Sequence, residues 1–163
     1  MSASGENAST EQVVIRDAER SEHAALARVF RRASWWNEGD RAFLAANPHL
    51  LDLDVEVFDK GRLRVADVDG TVVGFATTIE SGDALELDDL FVDPDWMRHG
   101  IGAQLVDDAV AHAREHAVAC IEVTGDDHAL GFYERVGFVV VGAAPTLAGS
   151  SPRLRLELAA RGS

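Results

Sequence analysis

The segment Leu85–Leu105 constrains the fold of this chain more than any other stretch of its sequence. It contains an apolar strand pattern, a turn at Asp93-Pro94-Asp95, and a glycine-containing loop that leads into a helix. The first N–H groups of a helix have no internal acceptor, and the helix dipole favours negative charge at that end. Glycine removes the Cβ atoms that would keep an anion away from these groups. The segment therefore predicts that Arg98–Ala103 form a phosphate-binding helix N-terminus.

Two well-known phosphate-binding loops contain glycines at similar spacing. The Walker loop requires a lysine after its second glycine, and the single lysine of this chain, Lys60, lies elsewhere. The dinucleotide loop G-x-G-x-x-G matches at Gly100 and Gly102, and Glu122 resembles its ribose-binding acid. Its third glycine position is Leu105, however, and the loop before the glycines is longer than that motif allows. We therefore exclude the Walker loop and retain the dinucleotide loop as the minor alternative.

Turn signals organise the rest of the chain. Asp69-Gly70 is typical of a two-residue β-hairpin, and Ser81-Gly82-Asp83 marks a second turn. The alternating segments around them predict three antiparallel strands, which run over Leu63–Val68, Thr71–Ile79 and Ala84–Val92. The other predicted elements are strands at Val13–Asp17, Ala119–Val123, Phe138–Val141 and Arg153–Leu158, and helices ending near Ser34–Asn37, at Asp40–Ala46, at Gly100–Ala117 and around Ala129–Tyr133.

This order of elements predicts an α/β domain with a mixed, mostly antiparallel sheet flanked by helices. Leu50–Asp59 alternates like a strand, but its acidic residues suit a turn of helix equally. Gly142–Arg153 is rich in Gly, Ala, Pro and Ser and is predicted to be a loop. The last strand, Arg153–Leu158, is predicted to be an exposed edge, which leaves a homodimer through strand pairing open.

Composition limits the partners and the compartment. The chain has 163 residues and a net charge of −13, because 28 Asp and Glu residues outnumber 15 Lys and Arg residues. This charge repels nucleic acid and anionic membranes, so we expect neither as a partner. No apolar run approaches the ~18–20 residues that cross a bilayer, and the single Cys120 fits a reducing cytoplasm. We therefore expect a cytoplasmic protein with a disordered tail over residues 1–11 and one domain over residues 12–160.

Two motifs together resemble a known family. The loop ending at Gly102 is similar to Q/R-x-x-G-x-G/A, the cofactor-binding motif of the GCN5-related N-acetyltransferase (GNAT) family. Ala129–Phe138, ALGFYERVGF, resembles that family's second motif, A-x-x-F-Y-x-x-x-G-F. The two stand in the expected order, and the resemblance covers Val13–Leu158. It implies the GNAT-like acyl-CoA N-acyltransferase fold, a single GNAT-like domain, and acetyl-CoA as co-substrate.

The resemblance also implies roles for individual residues. Tyr133 is implied to act as general acid at the thioester sulfur, and Asp88 matches a position where related enzymes often carry a carboxylate base. A backbone N–H near Leu90 is a candidate donor to the thioester oxygen. The implied cofactor-binding residues are Leu90, Phe91 and Val92 for the pantetheine arm, Arg98, His99, Gly100, Ile101, Gly102 and Ala103 for the pyrophosphate, and Asp126.

Several features qualify these roles. Met97 stands at the Q/R position and Asp126 where the family often has Asn, which brings a negative charge near the cofactor. Tyr133 also fits a packed aromatic residue, and Asp88 a solvated strand face that alternation would share with Glu86. Direct transfer requires no metal, so we expect none. The following histidines are interpreted as scattered, without a ligand pattern: His23, His49, His112, His116 and His128.

The acceptor is the least determined part of the prediction. Trp35 and Trp36 suit either packing or an amphipathic pocket that binds a cation, and Arg32 with Arg153 would suit a carboxylate clamp. We include Glu86 with Arg32 and the two tryptophans as candidate substrate-binding residues. The leading hypothesis is an acetyl-CoA-dependent N-acetyltransferase that acts on a primary amine of a small molecule. The alternatives are a protein N-terminal or lysine acetyltransferase and a catalytically silent acyl-CoA-binding sensor.

Overall fold

Seven strands form a single mixed sheet in the computed structural model, which describes residues 12–146 and 149–158. The strand order is β1-β2-β3-β4-β5-β7-β6. The predicted tail, residues 1–11, lies outside the described residues, as does the end of the predicted domain. The strands are β1 Val13–Asp17, β2 Arg62–Val68, β3 Thr71–Ser81, β4 Ala84–Val92, β5 Cys120–Thr124, β6 Val139–Thr146 and β7 Gly149–Glu157.

Helices flank this sheet. They are α1 His23–Trp36, α2 Arg41–Ala46, α3 Ile101–Glu115 and α4 Leu130–Arg135, with short 3-10 turns at Arg20–Glu22, Glu38–Asp40, Pro48–Leu51, Val55–Phe58 and Pro94–Trp96. The ambiguous stretch around Leu50–Asp59 thus forms turns. Asp54 accepts a hydrogen bond from the Glu56 N–H (2.8 Å), so the acidic side chain caps a turn there.

Local turn chemistry builds the antiparallel part of the sheet. Asp69 and Gly70 both have positive φ (52° and 90°), as the two-residue hairpin between β2 and β3 requires. Strands β1 to β4 are antiparallel neighbours, whereas β4 and β5 pair in parallel over Ala84–Glu86 and Cys120–Glu122. The parallel pairing follows because α3 carries the chain from the end of β4 back to the start of β5.

The sheet separates two hydrophobic cores. The larger core packs α3 against the sheet through residues such as Ile101 and Leu105, and α4 closes it with Tyr133. The smaller core packs α1 against the other face, where Leu26 and Phe75 are fully buried. Burial of each such large apolar side chain contributes about 1.5–3 kcal/mol to the free energy of folding, so the packing on each face of the sheet stabilises the fold.

The C-terminal part corrects two predictions. The predicted Gly142–Arg153 loop is mostly strand, because β6 continues to Thr146 and β7 already begins at Gly149. The predicted edge strand at Arg153–Leu158 was wrong: β7 lies between β5 and β6, and β6 forms the edge. The exposed apolar side chains of that edge are Val139, Val140 and Val141.

The short helix α2 buries one of its two large apolar side chains: Leu44 is buried, whereas its neighbour Phe43 is exposed. Among the described residues, no helix combines the length and apolar character needed to cross a membrane.

Candidate active site

The central feature of the site is the divergence of β4 from β5. Their pairing ends at Glu86 and Glu122, although β4 continues for six more residues to Val92. Backbone groups of Leu87–Val92 that would bond β5 in a continuous sheet therefore face an open cleft. A cavity of about 150 Å³ fills this cleft. Its wall consists of Leu87, Asp88, Leu90, Phe91, Val123, Thr124, Gly125, Asp126, Ala129 and Tyr133.

A β-bulge places Asp88 at the cleft. Thr77 pairs with Asp89 and Thr78 pairs with Leu87, so Asp88 is the extra residue of β4. The bulge shifts the alternation of the strand: Leu85 and Leu87 pack into the larger core before it, and Leu90 and Val92 after it. The change of alternation therefore falls between Leu87 and Leu90, at Asp88 and Asp89.

The two carboxylates of the bulge share one ammonium group. Lys60 Nζ lies 2.7 Å from an oxygen of Asp88 and 2.7 Å from an oxygen of Asp89. Partial burial acts to lower the pKa of Lys60, but its hydrogen bonds to Asp88 and Asp89 outweigh burial and the pKa is raised. The site thus already holds a protonated amine beside the candidate base. Sequence reasoning missed Lys60 and Asp89 here; the signal was that Lys60 is the single lysine in the chain.

Tyr133 lies on the opposite wall of the cleft. Its ring is buried, with edge-to-face contacts to Phe132 and Phe138 at centroid distances of 5.2 and 5.4 Å. Burial, reinforced by the negative charge of Asp126, raises the pKa of Tyr133 well above its ordinary value. The hydroxyl therefore stays protonated at neutral pH. Gly125 makes room for the ring, because a Cβ at this position would lie 3.0 Å from a ring carbon of Tyr133.

The loop before α3 exposes backbone N–H groups. Arg98 and Gly100 both have left-handed conformations (φ 69° and 77°), and Gly100 is the N-cap residue with no side chain to cap the helix. A Cβ at Gly100 would meet nothing within 4 Å, so the space in front of the helix is open. The N–H groups of Ile101 and Gly102 consequently lack an intrahelical acceptor and face that space. Free N–H groups at a helix N-terminus are a feature that can bind an anion.

The two sequence motifs contact each other through Gly102. A Cβ on Gly102 would lie 3.1 Å from two ring carbons of Phe132. The glycine thus allows the aromatic residue of the second motif to pack on the first turn of α3. Asp126 accepts a hydrogen bond from the Ala129 N–H (2.9 Å), which stabilises the turn that leads into α4.

Arg32, a predicted substrate-binding residue, holds the loop instead. Its Nε and one terminal nitrogen lie 3.1 and 3.2 Å from the two carboxylate oxygens of Asp93, and it also pairs with Asp95 at 2.9 Å. Asp93 is buried and accepts a hydrogen bond from the Asp95 N–H, while its own N–H donates to the Val73 carbonyl (2.8 Å). Arg28 approaches the same carboxylate at 3.4 Å. Helix α1 is thereby tied to the start of the loop before α3, the loop that the sequence predicts to bind phosphate and that is called the phosphate-binding loop below.

Glu86 is likewise paired within the chain. Arg153 contacts both of its carboxylate oxygens, at 2.5 and 2.6 Å, and reaches Glu122 at 3.1 Å. Arg155 binds the other oxygen of Glu122 at 2.8 Å. These ion pairs join β4, β5 and β7 at the point where the cleft opens. The predicted carboxylate clamp of Arg32 and Arg153 is therefore not formed, because the two arginines neutralise different carboxylates.

The paired tryptophans line a second, shallower cavity, which is separate from the cleft between β4 and β5. Trp35 and Trp36 are 38% and 56% exposed, so core packing does not account for them. The Arg41 guanidinium lies 5.7 Å from the centre of the Trp35 ring and donates to the Trp35 carbonyl (2.7 Å). A cavity of about 620 Å³ is lined by Arg31, Arg32, Trp35, Trp36, Arg41, Leu51, Pro94 and Asp95. It adjoins the phosphate-binding loop through Pro94 and Asp95.

Solved structures with the same architecture establish the fold. The PaiA N-acetyltransferase of Thermoplasma acidophilum, solved in complex with coenzyme A, has a TM-score of 0.76 at 16% identity and covers 90% of this chain and 99% of that protein. The ribosomal-protein-S18-alanine N-acetyltransferase of Escherichia coli has a TM-score of 0.68 at 20% identity and covers 93% and 99%. At these identities the likeness shows a shared fold. The predicted fold class is confirmed.

Sequence comparison identifies the family. The acetyltransferase (GNAT) domain matches residues 52–151, and this chain belongs to that family. An uncharacterised N-acetyltransferase of Methanocaldococcus jannaschii is 31% identical over 90 residues, which are 49% of this chain and 40% of that protein. Mycothiol acetyltransferase of Propionibacterium freudenreichii is 36% identical over 92 residues, 52% of this chain and 30% of that protein. The matched segments therefore span less than half of either relative.

Proposed function

We propose that the protein transfers the acetyl group of acetyl-CoA directly to a primary amine of a small molecule. One observation carries this proposal: the cleft between β4 and β5 brings together the protonated hydroxyl of Tyr133, the carboxylate of Asp88 and unpaired strand backbone. The open N-terminus of α3 follows directly from the same strand. The names of both curated relatives include acetyl transfer, which supports the reaction type.

The residues present fit coenzyme A. The uncapped N–H groups of Arg98–Ala103 would hold the pyrophosphate, as the resemblance to the family implies. The free edge of Leu90–Val92 would hydrogen-bond the pantetheine arm as an added strand would. Asp126 lines the cavity at the same level. When bound, acetyl-CoA would supply an activated thioester carbonyl.

Tyr133 is proposed to give its proton to the sulfur that leaves. A thiol has a lower pKa than a tyrosine, so complete proton transfer to a free thiolate would be uphill. Tyr133 would therefore stabilise the sulfur by a hydrogen bond and partial proton transfer while negative charge develops on it in the transition state, and solvent would supply the proton that the free thiol finally carries. Burial keeps the proton on the Tyr133 oxygen at neutral pH, so the donor is in its active form. A strand N–H near Leu90 would donate to the carbonyl oxygen on which charge grows.

Asp88 is proposed to bind the acceptor and pass its proton to water. A carboxylate near pKa 4 is a weak direct base for an ammonium near pKa 10, so positioning is its stronger contribution. The structure shows this carboxylate beside an ammonium already, that of Lys60 at 2.7 Å. We infer that an acceptor ammonium takes the Lys60 position or the neighbouring one at the bulge. A compact cationic amine suits the cavity of about 150 Å³.

The test measures binding of the acetyl donor and transfer to the acceptor in separate experiments. Calorimetry with coenzyme A and with acetyl-CoA establishes donor binding, and release of free thiol over a library of small amines establishes transfer. Peptides with free N-termini and lysine side chains form the second arm of the library. Turnover on small amines that the Tyr133→Phe variant loses supports the proposal. Turnover on peptides alone overturns the small-molecule assignment, and acetyl-CoA binding without turnover on any amine overturns the enzyme assignment.

A further inference from the structure

The last turn of α3 brings together three side chains that the proposed reaction does not use. His112, Glu115 and His116 each offer one ligand atom, and these atoms all lie within 4.8 Å of one another. The two imidazole rings are 4.1 Å apart between centroids. A spacing of four residues places both histidines on the same side of the helix, one turn apart. The interpretation of the histidines as scattered is therefore wrong for this trio.

A hydrogen bond sets the tautomer of one imidazole. His116 Nδ1 lies 2.9 Å from the backbone oxygen of His112. A carbonyl oxygen only accepts, so Nδ1 carries the proton and Nε2 presents its lone pair outward. Histidines that bind metals commonly use this arrangement, in which one ring nitrogen donates to a carbonyl and the other ligates. The Nε2 atom of His116 is thus the ring nitrogen that could bind a metal ion.

The charges around the trio bear on whether a cation can bind there. Glu80 and Glu115 place negative charge near His112, and the positive charge of nearby Arg62 is offset by its pair with Asp108 at 3.0 Å. The C-terminal end of a helix also favours positive charge, as does a chain of net charge −13.

We propose that His112, Glu115 and His116 form a site for a divalent transition-metal ion of the zinc class. Two imidazole nitrogens and one carboxylate oxygen suit Zn²⁺, Ni²⁺ or Cu²⁺, whereas Mg²⁺ and Ca²⁺ prefer oxygen ligands alone. Water completes the coordination, because the trio supplies three protein ligands. The site lies at the opposite end of α3 from the phosphate-binding loop, about 20 Å away at 1.5 Å per residue.

The experiment is a calorimetric titration of the full-length, untagged and metal-stripped protein with ZnCl₂, and with MgCl₂ for comparison. We expect one zinc ion per chain and no heat of binding with magnesium. His112→Gln and His116→Gln should each weaken zinc binding by at least about tenfold, since even the loss of an outer-shell partner costs ~10–100-fold. The matched control is His49→Gln, which alters an exposed histidine outside the trio and should leave the affinity unchanged.

Two further measurements keep the outcome unambiguous. Glu115→Gln replaces an exposed carboxylate and leaves the hydrophobic core unchanged, so it should weaken zinc binding without unfolding the protein. Circular dichroism checks that the fold of this variant is intact. Zinc affinity should fall as the pH drops below the ordinary histidine pKa, because protons then compete for both rings. Absence of zinc binding overturns the proposal. So does binding that the three trio variants leave as strong as in the His49→Gln control.

Discussion

The two ends of helix α3 differ in what they are built from. The N-terminal end, at Gly100 and Gly102, presents backbone N–H groups and has no capping side chain. The C-terminal end, at His112 and His116, presents imidazole nitrogens. One helix dipole favours an anion at the first end and a cation at the second. The helix therefore separates a proposed anion site made of backbone from a proposed metal site made of side chains.

This difference determines which substitutions each end tolerates. A site made of N–H groups is insensitive to most side-chain identities, which is consistent with Met97 at a position where the family has Gln or Arg. It is sensitive to a side chain at Gly102, because a Cβ there would press on Phe132. A site made of side chains shows the reverse pattern, since the loss of one imidazole removes one ligand.

The largest effect is expected for Tyr133→Phe. Removal of the hydroxyl should lower kcat by about 100-fold or more, because a positioned general acid contributes ~10²–10⁴. The ring still fills its pocket against Phe138, so coenzyme A affinity and zinc affinity should stay unchanged. Steady-state thiol release and calorimetry measure these quantities. An unchanged kcat would remove Tyr133 from the reaction and leave it a packing residue.

The second prediction concerns Asp93, which ties α1 to the phosphate-binding loop. Asp93→Ala should lower the free energy of unfolding by about 2 kcal/mol, because it leaves Arg32 without its buried partner and removes the cap of a turn. It should also weaken coenzyme A binding. Asp95→Ala is the matched control: Asp95 is exposed, and its pair with Arg32 should contribute below about 1 kcal/mol. Urea unfolding measures the free energy of unfolding of both variants. An equal decrease in the two variants would contradict the proposal that Asp93 holds α1 against the loop.

The third prediction tests the backbone end directly. Gly102→Val should weaken coenzyme A binding by about tenfold or more, since the added side chain displaces Phe132 and crowds the exposed N–H groups. Gly131→Ala is the control in the second motif, because a Cβ there would approach only the tip of Arg135, at 3.8 Å. Zinc binding at the other end should not change in either variant. Full coenzyme A affinity in Gly102→Val would show that the anion site does not depend on this glycine.

The fourth prediction concerns the ammonium beside the bulge. Lys60→Met should lower the KM for a cationic acceptor by up to about fivefold, because the variant frees Asp88 and Asp89 and a partly exposed ion pair contributes up to ~1 kcal/mol. Lys60→Arg keeps the charge and should retain the KM of the native protein. An increased KM in Lys60→Met would show that Lys60 assists acceptor binding instead of competing with it.

The smallest effect is the pH dependence of stability at the histidine end. The pKa of His112 is lowered from 6.5, so below that pH the unfolded chain binds more protons than the folded one. The native protein should therefore lose stability as the pH falls through the ordinary histidine range, and His112→Gln should lose less. Urea unfolding at a series of pH values, without metal, measures the difference. Identical curves for the two proteins would contradict the altered pKa.

The local part of the site was predictable from the sequence. The hairpin turn at Asp69-Gly70, the bounds of β4 and the strand–loop–helix at Gly100 all follow from residues that are neighbours in the chain. The two motifs that meet at Gly102 and Phe132 predicted the family, which the comparisons show. Glycines, turns and hydrophobic periodicity act over a few residues, so a single sequence suffices to recognise them.

Long-range contacts decided the rest. Arg32 and Glu86 resembled substrate ligands in the sequence, yet each is paired within the chain, Arg32 with Asp93, 61 residues away, and Glu86 with Arg153, 67 residues away. The bulge at Asp88 depends on the register of β4 against β3, and the position of Lys60 beside it depends on how the preceding turns fold back.

The sequence by itself thus determined the strand–loop–helix segment at Gly100 and, through its two motifs, the family. Only the tertiary structure decided that β4 and β5 diverge after Glu86, that β6 and not β7 is the edge strand, and that two carboxylates of the bulge share the ammonium of Lys60. The physical reason is the range of the interactions. Backbone conformation follows from neighbouring residues, whereas strand order and ion-pair partners follow from packing among segments far apart in the chain.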